Sequence, residues 1–214
     1  MTRYGQMLKI SLNSRAWRND TCYPLPRHFS SGADQLNSMK FVTPRQYAAS
    51  NVAQFNINVE AVKEFLQLYQ SHEEEEKLLD FGCGTGETTA AIAGSKLGLR
   101  VNEVLGVDIS EQMISYCNKS YNIPNLRFQH LDSSEAESFA RSHSSSFSMI
   151  TSFHCFHWVE DIPQVLSLFR KVLRTNGRLL LVVPGVETEN NPHRRVFEEM
   201  KEEEEWKEML SNTK

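Results

Sequence analysis

Lys77 to Glu87 reads KLLDFGCGTGE, and the fold is decided there. Leu78, Leu79 and Phe81 suit a buried strand. Gly82, Gly84 and Gly86 alternate with small residues, so the backbone can turn sharply and approach a ligand with no Cβ in the way. Glu87 to Leu97 (ETTAAIAGSKL) is expected to be a helix whose first turn directs free N–H groups at that ligand. The spacing narrows the ligand. A dinucleotide fingerprint is GxGxxG, whereas here the pattern is GxGxG and Glu87 stands where the third glycine would fall. No GK[ST] follows, which excludes a phosphate-cradling P-loop. Asp80, at the strand end, would repel a pyrophosphate and suit a ligand's ammonium group.

Downstream, apolar runs and amphipathic stretches alternate. Val101 to Val107 reads as a second strand ending in Asp108, and Ser110 to Tyr121 as a helix capped by Ser110 with Met113, Ile114 and Cys117 on one face. Leu126 to Leu131 is a third strand ending near Asp132, Ser134 to Ser142 a short helix, and Phe147 to Phe153 a fourth strand. Ile162 to Leu173 is a helix, Asn176-Gly177 a turn, and Arg178 to Val183 a fifth strand. This order predicts an α/β fold: a parallel sheet with right-handed crossovers, helices on both faces, and a ligand at the carboxyl ends of the strands.

Upstream, Thr43-Pro44 is an N-cap and N1 pair, followed by helical stretches from Tyr47 to Phe55 and from Asn58 to Tyr69, placed to cap the ligand cleft. The Glu73 to Glu76 run reads as a solvated boundary. Residues 1–38 are basic and serine-rich, with Arg3, Lys9, Arg15, Arg18 and Arg27 against Asp20 and Asp34. They are read as a disordered leader, or as a mitochondrial transit peptide. The expected organisation is thus a leader (1–42), cap helices (43–76) and the α/β domain (77–214).

The net charge of -4 over 214 residues argues against a nucleic-acid partner or a basic membrane patch. Cys22, Cys83, Cys117 and Cys155 are scattered, with no CxxC and no Cys/His ligand spacing, so no metal is expected. No apolar run approaches the ~20 residues of a membrane span. A cytoplasmic location is expected, with the mitochondrion as the alternative.

Asp108 lies at a strand end, where a carboxylate can accept both hydroxyls of a ribose, and Asp132, at the next strand end, can accept from an adenine amino group. Strand-end aspartates also serve as helix caps. Together with a loop that fits no pyrophosphate, they select an adenosine ligand bearing an amino acid, which describes S-adenosylmethionine.

At this point the chain resembles the class I S-adenosylmethionine-dependent methyltransferases. LLDFGCGTGETT resembles their first motif, VLGVDIS their second, and FHCFHWVEDIPQVLSLFRKVLRTNGRLLLVV their fourth strand, following helix and fifth strand. SFHCFHWVED is similar to the SFxCxHWVxD segment of juvenile hormone acid methyltransferases. The resemblance implies a Rossmann-like sheet and methyl transfer to a small apolar carboxylic acid such as farnesoic acid. It implies cofactor contacts from Asp80, Gly82, Cys83, Gly84, Gly86, Asp108, Ile109, Asp132 and Phe153. Gln54 and Trp158 would hold the acceptor carboxylate, and His157 would orient it or act as a base for other acceptors. Family members carry two further strands after the fifth, which are not found in this sequence. The sheet is therefore expected to stop at five strands, with the fifth as an exposed edge and a homo-oligomer as one way to cover it. The alternatives to this enzyme are a catalytically silent binding protein on the same fold and a mitochondrial small-molecule methyltransferase.

Overall fold

The computed structural model describes residues 8–13, 43–68 and 76–183. The central strand β2 (Lys77–Phe81) is flanked by β3 (Glu103–Asp108) and β5 (Phe147–Phe153), both parallel to it. Outside these lie β4 (Leu126–His130), parallel to β3, and β6 (Leu173–Val183), parallel to β5. The five parallel strands are those expected from the alternation, with their ends shifted.

A sixth strand, β1 (Leu8–Asn13), runs antiparallel along β6, from Leu8 opposite Val183 to Asn13 opposite Arg178. The sheet order is β1-β6-β5-β2-β3-β4. The expectation of an exposed edge at the last strand is therefore corrected: the backbone groups of β6 on that side have a partner, drawn from the stretch read as leader. An unpaired edge would leave those donors and acceptors open to another chain. The remaining residues of 1–42, and everything after Val183, lie outside the described residues.

Helices cover both faces. On one, Leu78, Val104, Met149, Leu180 and Val182 pack with Ala61, Val62 and Phe65 of α2 (Val52–Leu68) and Ile92 and Ala93 of α3 (Glu87–Ala93). On the other, Leu79, Leu105, Ile150, Leu179 and Leu181 meet Phe139 of α5 (Ala136–Ser142) and Leu166, Phe169 and Val172 of α6 (Ile162–Val172). Neighbouring residues along each strand thus enter opposite cores, which is why these strands read as continuous apolar runs. α4 (Glu111–Ser120) lays Ile114 and Cys117 against Phe128 of β4. Its N-cap is Ser110, whose hydroxyl accepts from Met113 N–H, as the sequence suggested. Thr43 caps α1 (Pro44–Ser50) in a reciprocal arrangement with Gln46.

Polar bonds fix β5 against β2. Ser148 Oγ accepts from Lys77 N–H at 2.9 Å and donates to Lys77 C=O at 3.0 Å, and Ser152 Oγ donates to Phe81 C=O at 2.8 Å. From β2 the chain first builds outward through β3 and β4, then crosses to the other side with β5. The chain leaves β2 for α3 on one face and β5 for α6 on the other, so the carboxyl ends of these two strands form a topological switch point, the place where such sheets bind ligands.

Phe169 is fully buried, with its ring edge-on to Phe81 at 5.1 Å between centroids. Phe169→Ala is expected to lower the unfolding free energy by about 3–5 kcal/mol. Urea denaturation of the two proteins checks this, and a loss below about 1 kcal/mol would mean that the α6 face of the core refills the space.

Candidate functional site

The glycine loop is held from β3. The N–H groups of Gly82 and Cys83 both donate to Val107 C=O, at 2.8 and 3.0 Å, and Gly84 N–H donates to Asp108 Oδ2 at 2.9 Å. Gly82, Gly84 and Gly86 all have positive φ, a conformation that side chains with a Cβ resist. A Cβ on Gly82 would overlap Cys155 Sγ, and one on Gly86 would lie 2.9 Å from Phe128 Cζ. Both glycines are required by space as well as by conformation.

Asp80, one residue before the end of β2, is 2% exposed beside this loop. Its oxygens are divided between Thr89 Oγ1 of α3, donating at 2.6 Å, and Thr151 Oγ1 of β5, donating at 2.8 Å. Burial raises its pKa to about 6, against the pull of these two hydroxyls, and the nearby Asp108 charge adds to the rise. Asp108 accepts from Gly84 N–H through one oxygen and from Ser110 N–H through the other, at 2.9 Å each. Burial lifts its pKa while these bonds and His130 lower it. Burial pushes Cys155 up to about 12 and Cys83 well above the usual thiol range, so both remain protonated.

A cleft partly open to solvent lies over the loop. Its lining includes Asp80, Gly82, Cys83, Gly84, Phe153 and Gln54 from the residues expected in the site. Tyr47, Asn51, Phe55 and Asn58 line it from α1, α2 and the junction between them, Glu87 and Thr88 from α3, and His154 from the end of β5. Glu87 Oε2 receives Thr85 Oγ1 at 2.6 Å and Asn51 Nδ2 at 3.3 Å, and Tyr47 OH donates to Gln54 Oε1 at 3.2 Å. Tyr47, Asn51, Gln54 and Asn58 are spaced 4, 3 and 4 apart, a polar stripe on one helical face that the sequence displayed and an apolar-only search passes over.

Other expected residues stand apart from that lining. Ile109 is 60% exposed beside Asp108. Asp132 is half-buried, and its Oδ1 accepts from Ser134 N–H, Ser134 Oγ and Glu135 N–H, closing a turn that precedes α5. The Ser134 bonds hold its carboxyl below the usual range. His130, Asp132 and Glu135 bring ligand atoms within 4.8 Å of one another on this partly exposed corner. Trp158 is half-buried in a single 3₁₀ turn, Phe156–Trp158, with its N–H on Cys155 C=O at 2.8 Å. The side chain of His157 lies outside the described residues. No helix among the described residues is long and apolar enough to cross a membrane.

Residues 79–181 match the family model described as a methyltransferase domain. The juvenile hormone acid O-methyltransferase of Drosophila melanogaster is 32% identical over 133 residues, covering 62% of this chain and 43% of that protein. The trans-aconitate 2-methyltransferase of Deinococcus radiodurans is 34% identical over 109 residues, covering 51% and 38%. This chain spans less than half the length of either relative. Among solved structures, phosphoethanolamine N-methyltransferase 2 of Haemonchus contortus, in complex with S-adenosyl-L-methionine, superposes with a TM-score of 0.54 at 21% identity, covering 89% of this chain and 45% of that one. That likeness is one of fold.

The raised pKa of Asp80 has a definite sign in stability. The folded protein keeps this proton up to a higher pH than the unfolded chain, so stability falls as pH rises from about 4 through about 6, and the loss persists above that. A shift of about two units corresponds to on the order of 3 kcal/mol. Asp80→Asn carries no such titration. In urea denaturation across pH 4 to 7, the stability of Asp80→Asn minus that of the parent protein should rise with pH. A difference that is flat, or that falls, would refute this account of the buried carboxyl.

Proposed function

We propose that this chain, whose residues 79–181 match a methyltransferase domain model, is a class I enzyme that binds S-adenosylmethionine in the cleft and passes the methyl group to a small apolar carboxylic acid. The observation that carries the reading is the loop itself, whose Gly82, Gly84 and Gly86 all stand at positive φ, with Asp80 and Glu87 lining the cleft beside it and Asp108 holding Gly84 N–H. That donor set suits a ligand with cationic and hydroxyl groups and disfavours a polyanion.

When bound, S-adenosylmethionine supplies a methyl group already activated by its sulfonium. The protein's task is then alignment and exclusion of water more than acid-base chemistry. In the proposed site, Gly82, Cys83, Gly84 and Gly86 cradle the methionine portion with Asp80 beneath them. Asp108, beside Ile109, accepts the ribose hydroxyls on lone pairs not used by Gly84 and Ser110, and Asp132 faces the adenine. Phe153 and Phe55 form apolar wall. Gln54, whose carbonyl oxygen is taken by Tyr47, keeps its amide N–H groups for an acceptor carboxylate. Trp158 and His157 are the further proposed donors to that carboxylate. Relatives named as acting on juvenile hormone acid, on trans-aconitate and on malonyl-[acyl-carrier protein] support a carboxylate acceptor.

Calorimetric titration of the full chain with S-adenosylhomocysteine is expected to give binding in the micromolar range, about 8 kcal/mol. Asp108→Ala should abolish it while circular dichroism shows the fold retained. Full affinity in Asp108→Ala, or no binding by the folded parent protein, would remove the enzyme reading and leave a silent protein on a methyltransferase fold.

A further inference from the structure

Two polar side chains lining the cleft carry atoms that nothing in the described protein satisfies. Asn58, on α2, is 6% exposed, and its amide donates to Thr88 Oγ1 at 3.1 Å while Oδ1 has no partner. His154, at the end of β5, has a buried Nε2 with no partner. His154 also sits at φ 51, held there with its N–H on Val182 C=O at 2.7 Å. A non-glycine residue in this region stores backbone strain, and strain of this kind collects where the surroundings hold a side chain for a task. Buried polar atoms are ordinarily paired, and each exception is costly.

We propose that Asn58 and His154 form the subsite for the amino-acid end of the cofactor, Asn58 Oδ1 accepting from its ammonium and His154 Nε2–H donating to its carboxylate. The assignment rests on the cofactor reading above and names its chemistry. Oδ1 is an acceptor only, and the cleft also presents Asp80 and Glu87, so a cation is the group this corner favours. The same carboxylates would repel a ligand carboxylate, which needs a donor, and a neutral imidazole is one. Burial holds His154 below its ordinary pKa and hence neutral at pH 7. Both atoms are shielded from bulk water, so hydrogen bonds made to them are little contested by solvent.

Three probes separate the contributions in calorimetric titrations of the full chain. S-adenosylhomocysteine carries both charged groups, 5′-adenosyl-3-thiopropylamine keeps only the ammonium, and methylthioadenosine has neither. Asn58→Leu should weaken the first two by about tenfold or more and leave methylthioadenosine unchanged. If Asn58→Leu does not fold, Asn58→Asp replaces it and should tighten both ammonium-bearing probes relative to methylthioadenosine. His154→Gly should weaken S-adenosylhomocysteine alone, by about tenfold. Because glycine tolerates this φ, its melting temperature should not fall. Equal weakening of all three probes by Asn58→Leu, or a lowered melting temperature with unchanged affinities in His154→Gly, would make these residues structural and overturn the assignment. Failure of the parent protein to bind any of the probes would instead remove the cofactor reading on which it stands.

Discussion

A single buried carboxylate ties together the elements on which the cleft depends. Asp80 joins the end of the central strand to α3 through Thr89 and to β5 through Thr151, its register partner in the sheet. At 2% exposure this charge gains little from water, and two hydroxyls compensate it incompletely, which is why its pKa rises. The carboxylate makes physical sense where a positive charge is to be held above it, and the glycine loop supplies the opening. Asp108 has the matching role on the neighbouring strand. By receiving Gly84 and Ser110 it locks the loop to the start of α4, so the two acidic strand ends sit at fixed positions relative to the loop between them.

The parallel sheet was legible because each signal was local. The apolar runs of β2 to β6, the glycine spacing and the caps at Thr43 and Ser110 each lie within a few residues, and each agrees with the global fold. β1 was missed although its sequence, LKISLN, alternates Leu8, Ile10 and Leu12 with polar residues in the period of a strand. The basic composition of the surrounding stretch outweighed six residues of pattern. The pairing that rescues them, to β6 some 170 positions on, has no local signature.

The site was only half legible, for a different reason. Residues on the loop and strand ends could be assigned because the motif fixes where the backbone goes. The wall contributed by α1 and α2 could not, since which helical face turns inward depends on packing between elements distant in sequence. Gln54 was reached through resemblance, while its partner Tyr47 and its stripe neighbours Asn51 and Asn58 were not, because polar residues on a helix ordinarily face solvent. Asp132 shows the converse. Its place at a strand end suits adenine, yet the same place opens the turn before α5, and its Oδ1 receives three donors from that turn.

The charge balance of the cleft bears on how the proposed reaction would run. A carboxylate acceptor entering a space walled by Asp80 and Glu87 is disfavoured by like charge, and the sulfonium and ammonium of the cofactor offset that field. In the proposed reaction, methyl transfer would leave a neutral thioether and a neutral ester in place of the sulfonium and the carboxylate, so a pair of opposite charges would disappear. Such a step is helped by a site that excludes water, because bulk solvent stabilises the separated charges of the ground state more than the dispersed charge of the transition state. The apolar surfaces of Phe55 and Phe153, set among hydrogen-bonding groups that can orient both ends of the reaction, suit that requirement. A carboxylate acceptor would need no strong base; two thiols near the loop stay protonated, and the buried carboxylates of Asp80 and Asp108 bond to Thr89, Thr151, Gly84 and Ser110.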